Sequence, residues 1–387
     1  MDNNLLPINI YLDLSKAFDT LDHNILLYKL RYYGFKADSL NLMRDYLCNR
    51  TQQVLYNDIL SDISILRCGV PQGSILGPLL FLIYVNDMTV ATKYFYPILY
   101  ADDTTLCATL SQTWNIDDNT KLNTELDGIS NWMKLNRLSL NSTKTKAMIF
   151  HTPQRNVKYP SLKIDNTQVE FVQNFNFLGI NLNQHLKWDP HIDLVIKKIS
   201  KTIGVMKRLK NFLPSRVLLN IYHTLIGPHL NYGISLWREN VKKILKMQKT
   251  AVRIIMKAKY NAHTNQLFRE LRILKIADLC ALHDYKFCYQ YENRTLPEYF
   301  LSEMLQRNPH MFNQSARTAD QYRLPAVGHE YARNSISYKF PKIFNDMDED
   351  IKCKIDTLSL HGFKNCVKLF FFNSYDVHCE DDDCPVC

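Results

Sequence analysis

The sequence contains no long hydrophobic run, no leader-like start and no regular array of cysteines. No apolar stretch approaches the about 18 residues that a membrane span requires. Met1 is followed by "DNNLLPIN", which has neither the basic start nor the apolar core of a signal peptide. Internal repeats and low-complexity tracts are also missing. These absences argue against a membrane span, a secreted precursor and a repeat protein, and they predict a soluble intracellular protein.

The cysteines do not form a disulfide framework. Seven of the ten are scattered along the chain, and without a sign of secretion they are expected to be free thiols. The last residues, "HCEDDDCPVC", differ because His378, Cys379, Cys384 and Cys387 include a Cys-x-x-Cys spacing that can bind zinc. An acidic tail of this kind, without a supporting fold, is more often a disordered segment that binds no metal. Both interpretations stay open.

The composition is that of a globular, moderately basic protein. With 387 residues, 46% of them hydrophobic, the chain can bury a substantial core. Lys and Arg number 47 against 38 Asp and Glu, a net charge of +9. Such an excess is compatible with a polyanionic partner or an anionic membrane surface. Charge alone does not distinguish between them.

Two adjacent carboxylates follow an apolar run in "ILYADDTT". The pattern predicts two short β runs joined at Ala101, Asp102 and Asp103. Neighbouring residues on a regular strand point to opposite faces, but both carboxylates can project from the tip of a tight hairpin. Divalent cations could then offset the repulsion between the paired charges.

Asp13 is the candidate third carboxylate, near the end of the predicted strand "INIYLDL". Carboxylate oxygens without a neighbouring His or Cys suit Mg²⁺ or Mn²⁺, and two such ions can assist an in-line phosphoryl displacement. The residues alone leave another interpretation open, in which Asp-Asp is an ordinary turn dipeptide and Asp13 caps the following helix.

Five segments, in order along the chain, resemble motifs A to E of reverse transcriptases. They are "YLDLSKAFD", "GVPQGSILGPLLFLIYVND", "YADD", "LNSTKTKAMIF" and "FLGINL", and they extend over residues 8–182. The resemblance is to the enzymes of non-LTR retrotransposons of the LINE, jockey-like kind. The segments "IYHTLIGPHLNYGISLW" and "FKNCVKLFFF" resemble the thumb and the C-terminal part of the same proteins. No segment resembles an endonuclease.

The resemblance implies an α+β, right-hand polymerase fold, in which an antiparallel palm sheet with packed helices precedes a helical thumb. The expected domains are a palm at 1–180, a thumb-like region at 181–260 and a helical C-terminal region of unknown role at 261–387. Lys and Arg alternate with apolar residues at helical spacing in 197–210 and 242–259. Such helices predict contact with the phosphates of an RNA–DNA duplex, although a solvated surface is the alternative for any charge run.

By the same resemblance, Asp13, Asp102 and Asp103 are catalytic residues and metal ligands, with Asp102 the direct ligand and Asp103 more peripheral. Lys144 matches a lysine near the pyrophosphate leaving group, where an ammonium can neutralise charge or donate a proton. Lys146 is its rival, and a solvated surface lysine is the alternative for either.

Other matched residues are implied to bind nucleotide or primer. Phe18 matches an aromatic side chain that would clash with a ribose 2′-OH, although a core Phe is its alternative. The expected nucleotide loop is Pro71, Gln72 and Gly73, and the expected primer grip is Phe177, Leu178 and Gly179. Glycine without a Cβ permits close approach of the backbone to a substrate.

The implied activity is that of an RNA-directed DNA polymerase that uses Mg²⁺ or Mn²⁺, an RNA template, a DNA primer or target DNA, and dNTPs. The expected location is the nucleus and cytoplasm, within a ribonucleoprotein. Few residues precede Asp13, so the fingers region expected before motif A is largely missing, and the polymerase activity is predicted to be weak or absent. The alternative is a non-catalytic nucleic-acid-binding remnant of a retrotransposon. Oligomeric state cannot be predicted from these residues.

Overall fold

The computed structural model of the chain describes residues 5–111, 116–238, 241–302, 321–327 and 330–375. These residues form two compact units. The first contains the chain up to Phe175 together with Gln184–Leu186. The second contains Asn176–Asn183 and the chain from Lys187 onward.

Short strands are concentrated before residue 184. They are β1 (Leu6–Leu12), β2 (Arg50–Gln52), β3 (Leu55–Tyr56), β4 (Ile59–Leu60), β5 (Ser64–Leu66), β6 (Tyr96–Tyr100), β7 (Asp103–Leu110), β8 (Lys146–Ile149), β9 (Lys163–Ile164), β10 (Thr167–Gln168), β11 (Glu170–Phe171), β12 (Asn174–Phe177) and β13 (Ile180–Asn183).

Helices occur throughout the chain and predominate after β13. They are α1 (His23–Tyr32), α2 (Ala37–Leu47), α3 (Leu76–Val85), α4 (Ile116–Leu135), α5 (Asp189–Leu209), α6 (Ser215–Ile221), α7 (Gly227–Asn231), α8 (Ile234–Trp237), α9 (Lys242–Ile255), α10 (Asn265–Glu270), α11 (Ile276–Glu292), α12 (Glu298–Ser302), α13 (Glu330–Arg333), α14 (Ile336–Asp346), α15 (Glu349–Lys352) and α16 (Leu360–Ser374). Short 3₁₀ turns cover Ala17–Asp19 and Asn86–Ala91, and a π-helical turn covers Tyr222–Ile226.

In the first unit, five of the described strands form a sheet in the order β11-β8-β1-β7-β6, and the others pair in two-stranded sheets. β1 lies between β7 and β8 and is antiparallel to both. Its even-numbered residues Leu6, Ile8, Ile10 and Leu12 are buried in a core shared with α1, α3 and α4. Burial of alternate residues follows from the period of two along a strand, and it holds the end of β1 at a fixed position.

The second unit is mainly helical. α5 and α9 each bury one face, with Ile192, Ile199 and Ile203 on α5 and Ile244 and Val252 on α9, in one core. A further cluster joins α11, α14 and α16. Residues at spacings of three and four lie on one face of a helix, which explains why the charged residues between them remain at the surface.

Within the described residues, no helix combines the length and apolarity needed to cross a membrane. The seven cysteines of this part of the chain are free thiols, as predicted.

Candidate active site

The Asp-Asp pair lies at the tip of the hairpin formed by β6 and β7. Tyr100 pairs with Asp103, so Ala101 and Asp102 form a two-residue loop. Two-residue hairpin loops commonly require a positive φ, and Ala101 adopts a φ of 51°. A non-glycine residue in this region costs about 1–2 kcal/mol. The tight hairpin predicted from "ILYADDTT" is therefore confirmed, and Asp102 and Asp103 are both exposed.

Asp13 lies beside this hairpin because β1 and β7 are neighbours. The last pair of their ladder joins Leu12 to Thr104, and one more step in the same register places Asp13 opposite Asp103. Although Asp103 as a whole is exposed, partial burial of its carboxyl raises its pKa, and the charges of Asp102 and Asp13 raise it further. The three predicted carboxylates therefore interact electrostatically. The register places Asp103, which the sequence analysis treats as peripheral, across from Asp13.

Lys144 is brought to the same end of the sheet by the turn that begins at Asn141. The backbone N–H of Asn141 donates to the carbonyl of Asp13 over 2.8 Å. The N–H of Lys144 then donates back to the Asn141 carbonyl over 3.2 Å, and Asn141 Oδ1 accepts from the Thr143 hydroxyl over 2.8 Å. Lys144 Nζ lies 3.8 Å from Asp13 Oδ2. Sequence reasoning missed Asn141, although an Asn before Ser and Thr is a recognisable turn signal.

Lys146, the rival of Lys144, is engaged elsewhere. Its Nζ lies 2.7 Å from Glu170 Oε2, and Lys146 and Glu170 are paired residues of β8 and β11. Its ammonium also donates to the Thr143 carbonyl over 3.1 Å. These contacts tie Lys146 to the sheet, so the geometry favours Lys144 beside the carboxylates.

The Pro71–Gly73 loop is attached to the turn that follows Asp13. Gln72 Nε2 donates to Asp19 Oδ1 over 2.8 Å. Gly73 has a φ of 78° and open space where a Cβ would stand, so its backbone conformation favours glycine. At Gly69 a Cβ would lie 2.8 Å from the Asp19 carbonyl oxygen. Glycine at position 69 therefore allows this loop to cross the Asp19 turn.

Two carboxylates that follow Asp13, Asp19 and Asp22, have different partners. Asp22 is the N-cap of α1, and its Oδ1 accepts from the backbone N–H groups of Asn24 and Ile25. Arg137 Nη1 also lies 2.6 Å from Asp22 Oδ2. Asp19 instead ends a 3₁₀ turn and accepts from Gln72. Asp19 therefore binds a side chain of a distant segment, whereas Asp22 caps a helix.

Phe18 is half-buried in the 3₁₀ turn that follows Asp13. Its ring packs on Phe81 of α3, with 4.7 Å between the ring centroids, and its carbonyl accepts from the Val70 N–H over 2.9 Å. The ring is therefore anchored against the core without being enclosed by it. This position is compatible with both sequence interpretations, a nucleotide-contacting ring and a core residue.

The predicted primer grip is a tight turn between β12 and β13. Leu178 and Gly179 have φ values of 47° and 78°, as expected of a two-residue hairpin loop. The hydroxyl of Tyr232 donates to the Leu178 carbonyl, a contact that sequence reasoning missed. Phe177, Leu178 and Gly179 belong to the second unit, whereas the carboxylates belong to the first.

The donor set fits a hard divalent cation, although no preformed cage exists. Among the described residues, no group of three or more His, Cys, Asp or Glu side chains is arranged to hold a metal ion. Mg²⁺ is usually bound by one or two carboxylates together with substrate phosphates, so a complete protein cage is not required. Asp13, Asp102 and Asp103 supply oxygen ligands of the appropriate kind. The tail residues His378, Cys379, Cys384 and Cys387, with their possible zinc site, lie outside the described residues.

Comparison with known proteins finds similarity to one family over the first part of the chain. Residues 6–182 match the family described as "Reverse transcriptase (RNA-dependent DNA polymerase)". The "RNA-directed DNA polymerase from mobile element jockey" of Drosophila melanogaster is 27% identical over 293 residues, which cover 72% of this chain and 31% of the relative. The "Probable RNA-directed DNA polymerase from transposon X-element" of the same species is 24% identical over 292 residues, with 72% and 31% covered. The chain therefore spans about a third of the length of these curated relatives.

Solved structures of telomerase also show similarity. Telomerase from Candida albicans in complex with a fragment of telomeric RNA has a TM-score of 0.38 and 14% identity, with 71% of this chain and 45% of that chain covered. The corresponding Candida tropicalis complex has a TM-score of 0.35 and 12% identity, with 69% and 49% covered. The predicted α+β, right-hand polymerase fold is confirmed by the sheet and helices together with the family match. Residues 6–182 match the reverse transcriptase family, and the chain is similar to the RNA-directed DNA polymerases of the jockey and X-element mobile elements.

Proposed function

We propose that the chain performs RNA-templated DNA synthesis with dNTPs as substrates and a DNA strand as primer. The observation that carries the proposal is the convergence of Asp13, Asp102, Asp103 and Lys144 at one end of the central sheet. Three carboxylates beside one ammonium suit a reaction in which negative charge moves from an attacking oxygen to a leaving phosphate.

In the proposed reaction the primer 3′-OH releases its proton to solvent, its oxygen forms a bond to the α-phosphorus of the dNTP, and the bond from that phosphorus to the bridging oxygen of pyrophosphate breaks. Asp13 and Asp102 would hold two divalent ions, Mg²⁺ or Mn²⁺, which lower the pKa of the 3′-OH and neutralise the phosphates. Asp103 adds negative charge across from Asp13. Lys144 Nζ is the group that donates a proton to the departing pyrophosphate.

The nucleotide is proposed to lie on the loop of Pro71, Gln72 and Gly73. The Gln72 amide, oriented by Asp19, would face the sugar, and Gly73 would let the backbone approach the base. The Phe18 ring, anchored on Phe81, would exclude a ribose 2′-OH. Phe177, Leu178 and Gly179 are proposed to position the primer end by packing.

The proposed partners are an RNA template, a DNA primer or target DNA, and dNTPs. The proposed setting is a ribonucleoprotein of the nucleus and cytoplasm. Weak activity of this chain by itself, as expected from the sequence, is part of the proposal.

Primer extension on an RNA template tests the assignment. Purified chain, Mg²⁺ and dNTPs are compared with Asp102→Ala and with Asp127→Ala, which removes an exposed carboxylate of α4 in the same unit. Extension that survives Asp127→Ala and is lost with Asp102→Ala supports the proposal. Salt-sensitive binding of an RNA–DNA duplex with no extension by the wild-type chain would instead identify a non-catalytic binding remnant.

A further inference from the structure

A cavity of about 370 Å³ lies within the second unit, among the π-helical turn Tyr222–Ile226, α7, α11 and α16. Cavities of this size accommodate small ligands. This cavity contains none of the residues assigned to polymerase chemistry. Part of its lining belongs to the C-terminal region, for which the sequence predicts no role.

The cavity is strongly cationic. Arg272, Lys286, Lys364 and Lys368 line it, and none of the described lining residues is an Asp or Glu. Lys364 and Lys368 stand four residues apart on α16, where like charges destabilise a helix. In the part of the chain that the structure describes, none of these four cations has a carboxylate partner within ion-pair distance. An anionic ligand would offset this repulsion.

Two of these lysines lie near the His283 imidazole. Burial lowers the pKa of this imidazole, and Lys286 and Lys364 lower it further, so both lysines lie close to the ring. The three carboxylates of α11 have other partners: Asp278 accepts from the Tyr375 hydroxyl, Asp284 pairs with Arg238, and Glu292 accepts from the Tyr322 hydroxyl. The positive potential of the cavity is therefore not neutralised from α11.

One wall is fixed by an uncommon backbone feature. The N–H of Gly227 donates to the Tyr222 carbonyl, which closes a π-helical turn. The amide of Asn231 donates to the Gly227 carbonyl over 2.8 Å, so its Oδ1 is oriented to accept from His283 Nε2 over 3.1 Å. Single π-helical turns inside helical segments are frequent at functional sites, and here the turn places His223 in the lining.

The remainder of the lining is apolar. Leu279 and Leu282 lie on the face of α11 that also carries His283 and Lys286, and Phe372 lies on the face of α16 that also carries Lys364 and Lys368. The cavity thus combines apolar and aromatic surface with several cations. A ligand that fits both features has a flat apolar part and a phosphate.

We propose that this cavity binds a single unstacked nucleotide, with its phosphate on Lys286, Lys364, Lys368 and Arg272 and its base against Leu282 and Phe372. Bases of single strands stack on aromatic side chains while basic groups hold the backbone. A duplex is too wide to enter a cavity of 370 Å³, so the ligand is a unit of a single strand or a free nucleotide. This site is additional to the polymerase site, and the proposal does not depend on polymerase activity.

Lysine footprinting tests the proposal directly. The full chain is acylated with an amine-reactive ester in the presence of a short single-stranded RNA, an RNA–DNA duplex, a nucleoside monophosphate or inorganic phosphate. Mass spectrometry then reports modification of Lys286, Lys364 and Lys368 relative to Lys342 and Lys354, which lie outside the cavity. Protection of the three cavity lysines by about threefold or more is expected with single-stranded RNA, with no change at the two reference lysines.

Binding by variants provides the second measurement. Lys364→Ala with Lys368→Ala should weaken single-stranded RNA binding about tenfold in fluorescence anisotropy and reduce its salt dependence. Lys342→Ala with Lys354→Ala removes the same charge outside the cavity and should leave binding nearly unchanged. Alanine favours helices, and circular dichroism checks that α16 remains folded. The measurement requires no primer extension, which separates this site from the polymerase proposal.

Each outcome decides the assignment. Protection by the RNA strand alone assigns the site to a unit of a single strand, and equal protection by the nucleoside monophosphate assigns it to a free nucleotide. Unchanged acylation of the cavity lysines overturns the proposal. Protection by inorganic phosphate alone, or by the duplex as strongly as by the single strand, also overturns it.

Discussion

Asp13 and Asp103 each stand one residue beyond the last pair of β1 and β7, Leu12 and Thr104, and their charges interact. Directly opposed residues of antiparallel strands have Cβ atoms about 5 Å apart. Partial burial raises the pKa of the Asp103 carboxyl, and the negative charges of Asp102 and Asp13 raise it further. The fold therefore concentrates negative charge where the proposed chemistry needs divalent cations.

Removing the Asp103 charge should stabilise the metal-free protein and impair the enzyme. A carboxyl whose pKa is raised by folding reduces stability once pH exceeds its unfolded pKa, and Asp103→Asn eliminates that contribution. The melting temperature of Asp103→Asn should exceed that of the wild type at pH 7, and the difference should vanish in acid. The Mg²⁺ concentration for half-maximal extension should rise, because Asp103→Asn removes a negative charge that attracts the cation.

Asp127→Asn serves as the control for this experiment, since Asp127 is exposed and distant from the hairpin in sequence. An Asp103→Asn variant that melts below the wild type at neutral pH would contradict the repulsion between Asp103 and Asp13.

The two lysines of motif D should differ in their effect on catalysis. Lys144 Nζ lies 3.8 Å from Asp13, whereas Lys146 is paired with Glu170. Lys144→Ala should lower kcat for primer extension about 10²-fold or more, the usual contribution of a general acid, with little change in melting temperature. Lys146→Ala should change kcat little. Single-turnover kinetics measure both, and a larger loss of rate in Lys146→Ala would reverse the assignment.

The hydrogen bond between Gln72 and Asp19 should couple the two loops energetically. Gln72→Ala and Asp19→Ala should each raise the KM for dNTP several-fold, because each leaves the other side chain without its partner. The double variant should be little worse than either single variant, which corresponds to a coupling of about 1 kcal/mol. Gln53→Ala, an exposed glutamine on another segment, is the matched control. Strictly additive effects of the two substitutions would show that the bond does not matter for nucleotide binding.

Asp284 should make the stability of the second unit depend on pH. Burial raises the pKa of this carboxyl from 3.8 to about 6, against the opposing effects of Arg238 and Lys339. The folded state therefore retains a proton that the unfolded chain has already released, so stability falls as pH rises from about 4 to about 6 and is then constant. Relative to Asp284→Asn, the loss should be about 3 kcal/mol over this window. Urea denaturation of both proteins at several pH values measures it, and parallel curves would refute the shift.

Much of the first unit could be predicted from sequence. Alternating apolar residues predict β1, and "ILYADDTT" predicts a hairpin whose tip carries Asp102 and Asp103; the structure confirms both. The family resemblance identified the segment that matches reverse transcriptases. These features were accessible because they depend on local periodicity, turn chemistry and ordered motifs.

Other features of the site could not be predicted because they depend on strand register and on distant contacts. Position along the chain does not show that Asp103 faces Asp13, that Gln72 binds Asp19, or that Asn141 carries Lys144 to the Asp13 strand. The sequence also could not predict that Lys146 pairs with Glu170, because that partner lies on β11, a parallel neighbour of β8. The cavity beside His283 likewise combines segments that have no common sequence signal.

The sequence by itself determined which residue types are present and which local elements form: oxygen ligands at Asp13, Asp102 and Asp103, a glycine-rich loop at Gly69 and Gly73, and amphipathic helices after β13. Local conformational preferences and the periodicity of apolar residues are sufficient for these features. The tertiary structure alone decided which of these groups act together. Antiparallel pairing sets the register that brings carboxylates and Lys144 to one edge, and helix packing sets which cations share a cavity, since both depend on burial of residues distant in sequence.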